Sequence, residues 1–259
     1  MKRTSGDARR RRIADHVVEH GTVTGADLAQ LTGVSLMTVH RDLDDLERRG
    51  VLRRFRGGAS ALPSTVFESS LDYRLGVNTA EKSAIARTAA ALVEPGMSVM
   101  LDDSTSVLAM ALLLVDKAPL TVVTNARRVV DVFTEREGIR LIALGGEYSR
   151  THDSFLGVPC VEAIEALSVD LVAVSTSALD SRMAYHQEQD VVLVKRAMLK
   201  SSAARVMLMD HSKLARTALH RLAPVGEVGH LVVDDGVEPE LVGRLREQTR
   251  VTVAATGAP

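Results

Sequence analysis

From residue 98 onward the sequence alternates short aliphatic runs with helical ones, and this alternation constrains the fold more than any other feature. "SVMLDD", "LTVVTN" and "IRLIAL" read as strands separated by the helical "STSVLAMALLL" and "ARRVVDVFTERE". "VDLVAVST", "ARVMLMD", "HLVVDD" and "RVTVAA" supply four more strands with helical pieces between them. Strands that alternate with helices imply a mostly parallel sheet covered on both faces, so the expected class is α/β. Ligands then belong at the carboxyl ends of the strands.

Composition supports this reading. Apolar residues make up 46% of the 259 and aromatics only 3%, so the core must be built from Val, Leu, Ala and Met. The length suits one or two domains. No apolar run approaches the roughly 20 residues that span a bilayer, and the Arg-rich start lacks the apolar segment of a secretory signal. No membrane partner and a cytoplasmic location are expected. Cys160 is the sole cysteine, which excludes an intrachain disulfide and a cysteine metal cluster and reads as a buried structural thiol. The eight histidines lack zinc-type spacing, so neither a metal nor a cofactor is expected.

The net charge of −1 conceals an asymmetry, because residues 1–60 hold twelve Lys or Arg against eight Asp or Glu. A basic head on an acidic body suits a DNA-binding module joined to a regulatory domain; two solvated surfaces of opposite charge would give the same balance. Within the head, Ile13, Val17 and Val18 recur at helical spacing and predict a helix over about 8–20; Lys2, Arg3 and Arg9 to Arg12 read equally as a disordered arm or extra phosphate contacts and as a solvated tail. In "TVTGADLAQLTGVS" Thr24 can cap a second helix with Asp27 at its third position, Leu28 and Leu31 are its buried stripe, and Gly33 ends it. Ser35 caps a third helix whose Val39, Leu43 and Leu46 form one apolar face, with Thr38, His40, Arg41, Asp44 and Asp45 elsewhere. Two short helices joined by a tight glycine turn are a helix-turn-helix arrangement. "GVLRRFRGGA" then reads as a wing of two Arg-rich extended pieces ending in a Gly-Gly turn.

Between the modules, "SALPSTVFESSLDYRLGVNTA" is Ser-rich and poorly periodic. The expected organisation is a DNA-binding domain over 1–60, a linker over 61–78, and an effector-sensing and oligomerisation domain over 79–259. Several strand ends in the second module carry polar clusters. Asp102, Asp103, Ser104, Thr105 and Ser106 open a helix, where hydroxyls and free N–H groups can hold an anion or a sugar hydroxyl; an ordinary helix cap would need only one of them. Thr124 and Asn125 follow the next strand. Gly145 and Gly146 allow a close backbone approach or make a simple turn. Asp210, Ser212 and Lys213 place a carboxylate, a hydroxyl and an ammonium together, fit for a sugar phosphate or for a surface ion pair.

"GVSLMTVHRDLDDLERRGVLRRFRGGA" resembles the winged helix-turn-helix of the DeoR family of bacterial transcription regulators. In that resemblance Ser35, Met37, Thr38, His40 and Arg41 sit at the groove-facing start of the recognition helix, with Arg53, Arg54 and Arg56 on the wing and Thr24 at the preceding cap. His40 replaces the family's usual Arg. The second module resembles the family's effector domain through Glu81-Lys82 with Ile85-Ala86, Asp102 to Ser106, Thr124-Asn125, Gly145-Gly146, Gly157, Lys195 to Met198, and Asp210 with Ser212-Lys213. The implied fold is the Rossmann-like one shared with ribose-5-phosphate isomerase. The implied partners are a double-stranded DNA operator and a small effector, a sugar phosphate or related metabolite.

Two departures bear on the effector. Ser104 stands where the family usually has Gly, and Asp103 adds a carboxylate whose repulsion of a phosphate must be offset by a cation such as Lys213 or Lys195. Tyr185, His186 and Glu188 lie where ligand-selective residues are expected, which points to an altered effector such as a polyol, a sugar acid or another phosphate ester. The expected function is a repressor of a carbohydrate operon, acting as a homodimer or homotetramer and relieved by its effector. The alternatives are a sugar-phosphate isomerase-like enzyme using Asp102 or Asp210 as base beside Lys213, and a DNA-binding protein whose second domain only oligomerises. No catalytic residue is assigned in the regulator reading, and neither "THDS" nor "DHSK" makes a triad, since neighbours in sequence rarely face one another as a triad requires.

Overall fold

The structure is a computed structural model that describes residues 6–48, 51–61 and 71–257. It divides into two compact units, Met1–Val77 and Asn78–Pro259. Lys2 and Arg3 of the N-terminal segment, and residues 62–70 of the expected linker, lie outside the described residues.

The first unit runs α1 (Gly6–His20), β1 (Thr22–Thr24), α2 (Gly25–Thr32), α3 (Leu36–Arg48), β2 (Leu52–Phe55), β3 (Gly58–Ala61) and α4 (Leu71–Gly76). Its helices exist because each buries an apolar stripe: Ile13 and Val17 of α1, Leu28 of α2, and Val39, Leu43 and Leu46 of α3 meet in one core with Val23, Leu52 and Ala59. Full burial of such a side chain contributes about 1.5–3 kcal/mol. Thr24 caps α2 by accepting from the Asp27 N–H at 3.2 Å while its hydroxyl donates to the Asp27 carboxylate at 2.6 Å. Gly33, at φ +70°, ends α2 in the left-handed conformation that suits glycine.

The wing differs from the expectation in two ways. Gly57 and Gly58 do not end it; Gly57 lies in the turn and Gly58 begins β3, so the arginines fall only on β2 and the turn. The sheet also has a third strand, β1, in the order β1-β3-β2 with antiparallel pairing throughout. Gly58 passes against the Val23 carbonyl of β1 so closely that a Cβ there would overlap it. The glycine pair thus serves one tight turn and one close strand approach. Further on, α4 puts a helix inside part of the segment expected to be linker.

The second unit continues with α5 (Thr79–Ala90), β4 (Ser98–Leu101), α6 (Thr105–Leu114), β5 (Leu120–Thr124), α7 (Arg127–Phe133), β6 (Ile139–Ala143), β7 (Glu147–Ser149), β8 (Ser154–Leu156), α8 (Val158–Glu165) and β9 (Val169–Val174). It closes with β10 (Ala178–Leu179), β11 (Met183–His186), α9 (Gln189–Lys200), β12 (Ser202–Met209), β13 (His220–Pro224), β14 (His230–Asp234), α10 (Pro239–Arg246) and β15 (Arg250–Ala254). All seven strands read from the sequence join one sheet in the order β15-β14-β12-β9-β4-β5-β6. Every neighbouring pair in it is parallel.

Alternate residues of these strands feed two cores. Met100, Val172, Val174, Met207 and Leu231 pack toward α8, α9 and α10; Val99, Leu101, Val122, Leu171, Ala173 and Leu208 pack toward α5, α6 and α7. Burial on both faces accounts for the unbroken aliphatic runs. The short hairpin β7–β8 and the three-stranded sheet β10-β11-β13 were not legible, since two to five residues carry too little period. The order matters for function: β4, β5 and β6 run outward in one direction from β4, and β9, β12, β14 and β15 in the other. The crevice between β4 and β9 is therefore the topological switch point, where open α/β sheets take ligands.

Candidate DNA-reading and effector sites

In the first unit α3 presents three faces. Val39, Leu43 and Leu46 are buried. Met37, 68% exposed, shares the open face with Ser35 and Arg41, and Thr38 is half-buried beside them. The Ser35 hydroxyl accepts from the Thr38 N–H at 3.3 Å, capping the helix start. The third face carries His40, Asp44 and Glu47 toward β2. There the Arg54 guanidinium donates to His40 Nδ1 at 3.0 Å and pairs with Asp44, and the Arg54 N–H donates to Glu47 Oε1 at 2.7 Å. Arg53 and Arg56 are exposed.

Four carboxylates on a helix near phosphates would be repulsive if bare, and here each one is engaged. Arg9 donates to Asp42 at 2.6 and 3.2 Å, and Arg10 reaches both Asp42 at 3.5 Å and Asp45 at 3.2 Å. Arg9 and Arg10 thus form neither a disordered arm nor a solvated tail: they brace α1 against α3. Thr24 serves the α2 cap described above.

At the switch point of the second unit, Asp102 follows β4 and reaches the residue after β9. Its Oδ1 accepts from the Ser104 N–H at 2.9 Å and the Ser104 hydroxyl at 2.6 Å; its Oδ2 accepts from the Ser175 N–H at 2.8 Å and pairs with Lys195. Lys195 of α9 also donates to Asp103 at 2.9 Å. Burial by itself pushes the Lys195 ammonium down, but the two carboxylates outweigh it and raise its pKa above the ordinary value. Asp103 accepts in turn from the Ser154 hydroxyl at 3.0 Å and has His152 Nδ1 3.9 Å away. His152 Nε2 lies 2.9 Å from Glu188, and its ring centre is 5.9 Å from that of His186. The Cys160 thiol is buried, and that burial together with Asp103 pushes it up to about 11.

Ser104 is the N-cap of α6, its hydroxyl accepting from the Val107 N–H at 3.3 Å. Its side chain is thus turned back into the loop and occupied there. The Thr124 hydroxyl donates to the Leu101 carbonyl at 2.8 Å and ties β5 to β4. Among the described residues, Ser106 Oγ and Asn125 Oδ1 are buried with no hydrogen-bond partner in the chain. Buried polar atoms are nearly always satisfied, so these two stand out at adjoining strand ends.

A second polar group lies at the end of β12. Asp210 accepts from Asn78 at 2.8 Å and from Ser212, with Lys213 at 3.7 Å. Burial raises the Asp210 pKa, but Lys213, Ser212, Lys82 and Asn78 together hold it below the ordinary carboxylate value. Lys213 also reaches the Ser175 hydroxyl at 3.4 Å, which joins this group to the crevice.

The structure therefore brings together Asp102, Ser104, Thr105, Ser106, Thr124, Asn125, His186, Glu188, Lys195 and Lys213 around adjoining strand ends. The Tyr185 phenol donates to Asp180 at 2.8 Å. Gly145 and Gly146 follow the edge strand β6, and Gly146 lies so close to the Leu156 carbonyl that a Cβ would overlap it. Sequence reasoning missed His152, Ser154, Ser175 and Asn78. Ser175 closes a strand end in "VDLVAVST", and that position was its available signal.

Residues 9–65 match the model of the DeoR-like helix-turn-helix domain, and residues 77–235 that of the DeoR C terminal sensor domain. The chain belongs to the DeoR family. Similar DeoR proteins include the HTH-type transcriptional repressor GlcR of Bacillus subtilis (strain 168), 33% identical over 86% of this chain and 86% of that protein. The Glycerol-3-phosphate regulon repressor of Escherichia coli (strain K12) is 29% identical over 90% of this chain and 92% of its own. Among solved structures, ribose 5-phosphate isomerase A of Methanocaldococcus jannaschii matches 52% of this chain and 53% of its own at 15% identity, with a TM-score of 0.38. The strand order itself carries the fold assignment of this DeoR sensor domain. Within the described residues no helix is long and apolar enough to cross a membrane.

Proposed function

We propose that the chain is a cytoplasmic repressor of a carbohydrate-metabolism operon. Its winged head binds double-stranded operator DNA and is released when a small phosphorylated or polyhydroxylated metabolite occupies the crevice at β4 and β9. The observation that carries the effector reading is the orphaned pair Ser106 Oγ and Asn125 Oδ1 beside the Asp102–Lys195–Asp103 group. A ligand hydroxyl that donates to Asn125 Oδ1, together with a hydroxyl or phosphate oxygen that accepts from the Ser106 hydroxyl, would satisfy both atoms. Lys195 already offsets Asp103, so the anionic end of such a ligand is assigned to the α6 N-terminus and the Lys213 side. His152, His186 and Glu188 are assigned to its hydroxyls.

On the DNA side, Ser35, Met37, Thr38 and Arg41 are assigned to the groove, and Arg53 and Arg56 to phosphates. A homodimer or homotetramer built through the sensor domain would present paired heads to repeated half-sites. Residues 1–60, 61–78 and 79–259 are assigned to head, connection and sensor.

A regulator fits this chemistry better than an enzyme. Both oxygens of Asp102 are already occupied by four donors, which leaves neither turned to a substrate proton, and Asp210 is held below the ordinary carboxylate range. The test is a mobility shift on the DNA upstream of the gene, run with glucose 6-phosphate, glycerol 3-phosphate, a polyol and a sugar acid. Release by at least one compound is expected. No retardation at low salt would overturn the regulator, and turnover of an aldose phosphate lost in Asp102→Asn would favour the isomerase.

A further inference from the structure

His40, Asp44 and Glu47 stand four and then three residues apart, which places them on one face of α3. All three meet a single residue of the wing. Arg54 Nη2 donates to His40 Nδ1 at 3.0 Å, Nη1 pairs with Asp44, and the Arg54 backbone N–H donates to Glu47 Oε1 at 2.7 Å. A guanidinium has donors only, so the His40 nitrogen facing it must offer a lone pair and the ring proton resides on Nε2. The ring edge nearest the wing is therefore committed to Arg54. So is the Arg54 charge, which Asp44 already neutralises.

We propose that His40, Asp44 and Arg54 form a clasp that fixes the wing on the recognition helix, with His40 and Arg54 as positioning residues for DNA binding. This rests on the DNA-binding reading of the head. The planar fork of Arg54 suits the task because it can satisfy two acceptors a helical turn apart at once, whereas a lysine is a point charge. A second arginine at position 40 would set two guanidinium groups competing for Asp44 and turn one of them outward. Histidine at this position spends the wing arginine on geometry and leaves Arg53 and Arg56 to meet phosphates.

The test uses the full chain, a mixed-sequence duplex and the upstream DNA, with affinity followed against salt concentration. A residue that neutralises a phosphate lowers the salt slope by about 1 when removed; a positioning residue does not. Arg54→Ala and His40→Ala are each expected to weaken binding about tenfold with the slope unchanged, and the double variant should be no weaker than Arg54→Ala alone. His40→Asn, whose side-chain oxygen can replace Nδ1, should recover affinity to within about twofold. Arg53→Ala and Arg56→Ala should each lower the slope by about 1.

Should the alanine variants melt the head, Arg54→Lys decides the matter. It keeps the charge a phosphate contact needs but loses the fork, so it should bind as weakly as Arg54→Ala. Full affinity in Arg54→Lys, a slope lowered by about 1 in Arg54→Ala, or multiplying single effects would overturn the clasp while leaving DNA binding intact. Failure of the unaltered chain to bind either duplex at low salt would overturn both.

Discussion

Lys195 shows how much one side chain can decide. It is buried between Asp102 and Asp103, and its ammonium is the charge that lets two adjacent carboxylates share a crevice. Lys195→Met would leave both carboxylates buried without it, and removing one partner of a buried pair typically costs about 3–5 kcal/mol. Urea unfolding of the sensor unit should read that loss, and Asp103→Asn in the same background should return part of it. Asp103→Ser alone leaves Lys195 with one carboxylate and removes one negative charge from the crevice. Phosphorylated ligands should then bind on the order of tenfold more tightly, as a titration would show, with neutral polyols little changed. Asp210 sets an acid limit. Its folded pKa is depressed, so as pH falls the unfolded chain takes up its proton first. The stabilisation is complete above the ordinary carboxylate value near ~3.9 and is lost as pH drops from there through the lower folded value. Asp210→Asn should flatten that part of the stability profile.

At the scale of elements, the seven parallel strands were legible because each is a long aliphatic run bounded by polar residues and followed by a helix. The helices of the head were legible from caps and stripes, Thr24 and Ser35 among them. The three-residue β1 was not, since "TVT" has no period and its pairing partner Ala59 lies 36 positions away. Gly58 exists for that pairing. Gly58→Ala would force a Cβ into the Val23 carbonyl and should destabilise the head by about 1–3 kcal/mol, the usual cost of overpacking. In a thermal scan the transition of the head should move down while that of the sensor unit stays in place. DNA affinity should fall with it.

For the whole molecule, two compact units with separate cores predict two separable functions. Residues 78–259 expressed alone should unfold cooperatively and keep the ligand-induced rise in Tm, but retard no DNA. A fragment that fails to fold would show that the sensor core depends on the head. What the sequence by itself determined was the division into a basic head and an α/β body, the identity of the strands, and the loop at Asp102 to Ser106. These are local: period, caps and composition act over a few neighbouring residues. Only the tertiary structure decided that β4 lies beside β9 and so puts Ser175 on Asp102, that Lys195 pairs with both Asp102 and Asp103, and that His40 and Arg54 hold each other. Such pairings join residues 14 to 93 positions apart, and no local propensity encodes which distant donor a buried carboxylate or imidazole will meet. Packing against a shared core settles that.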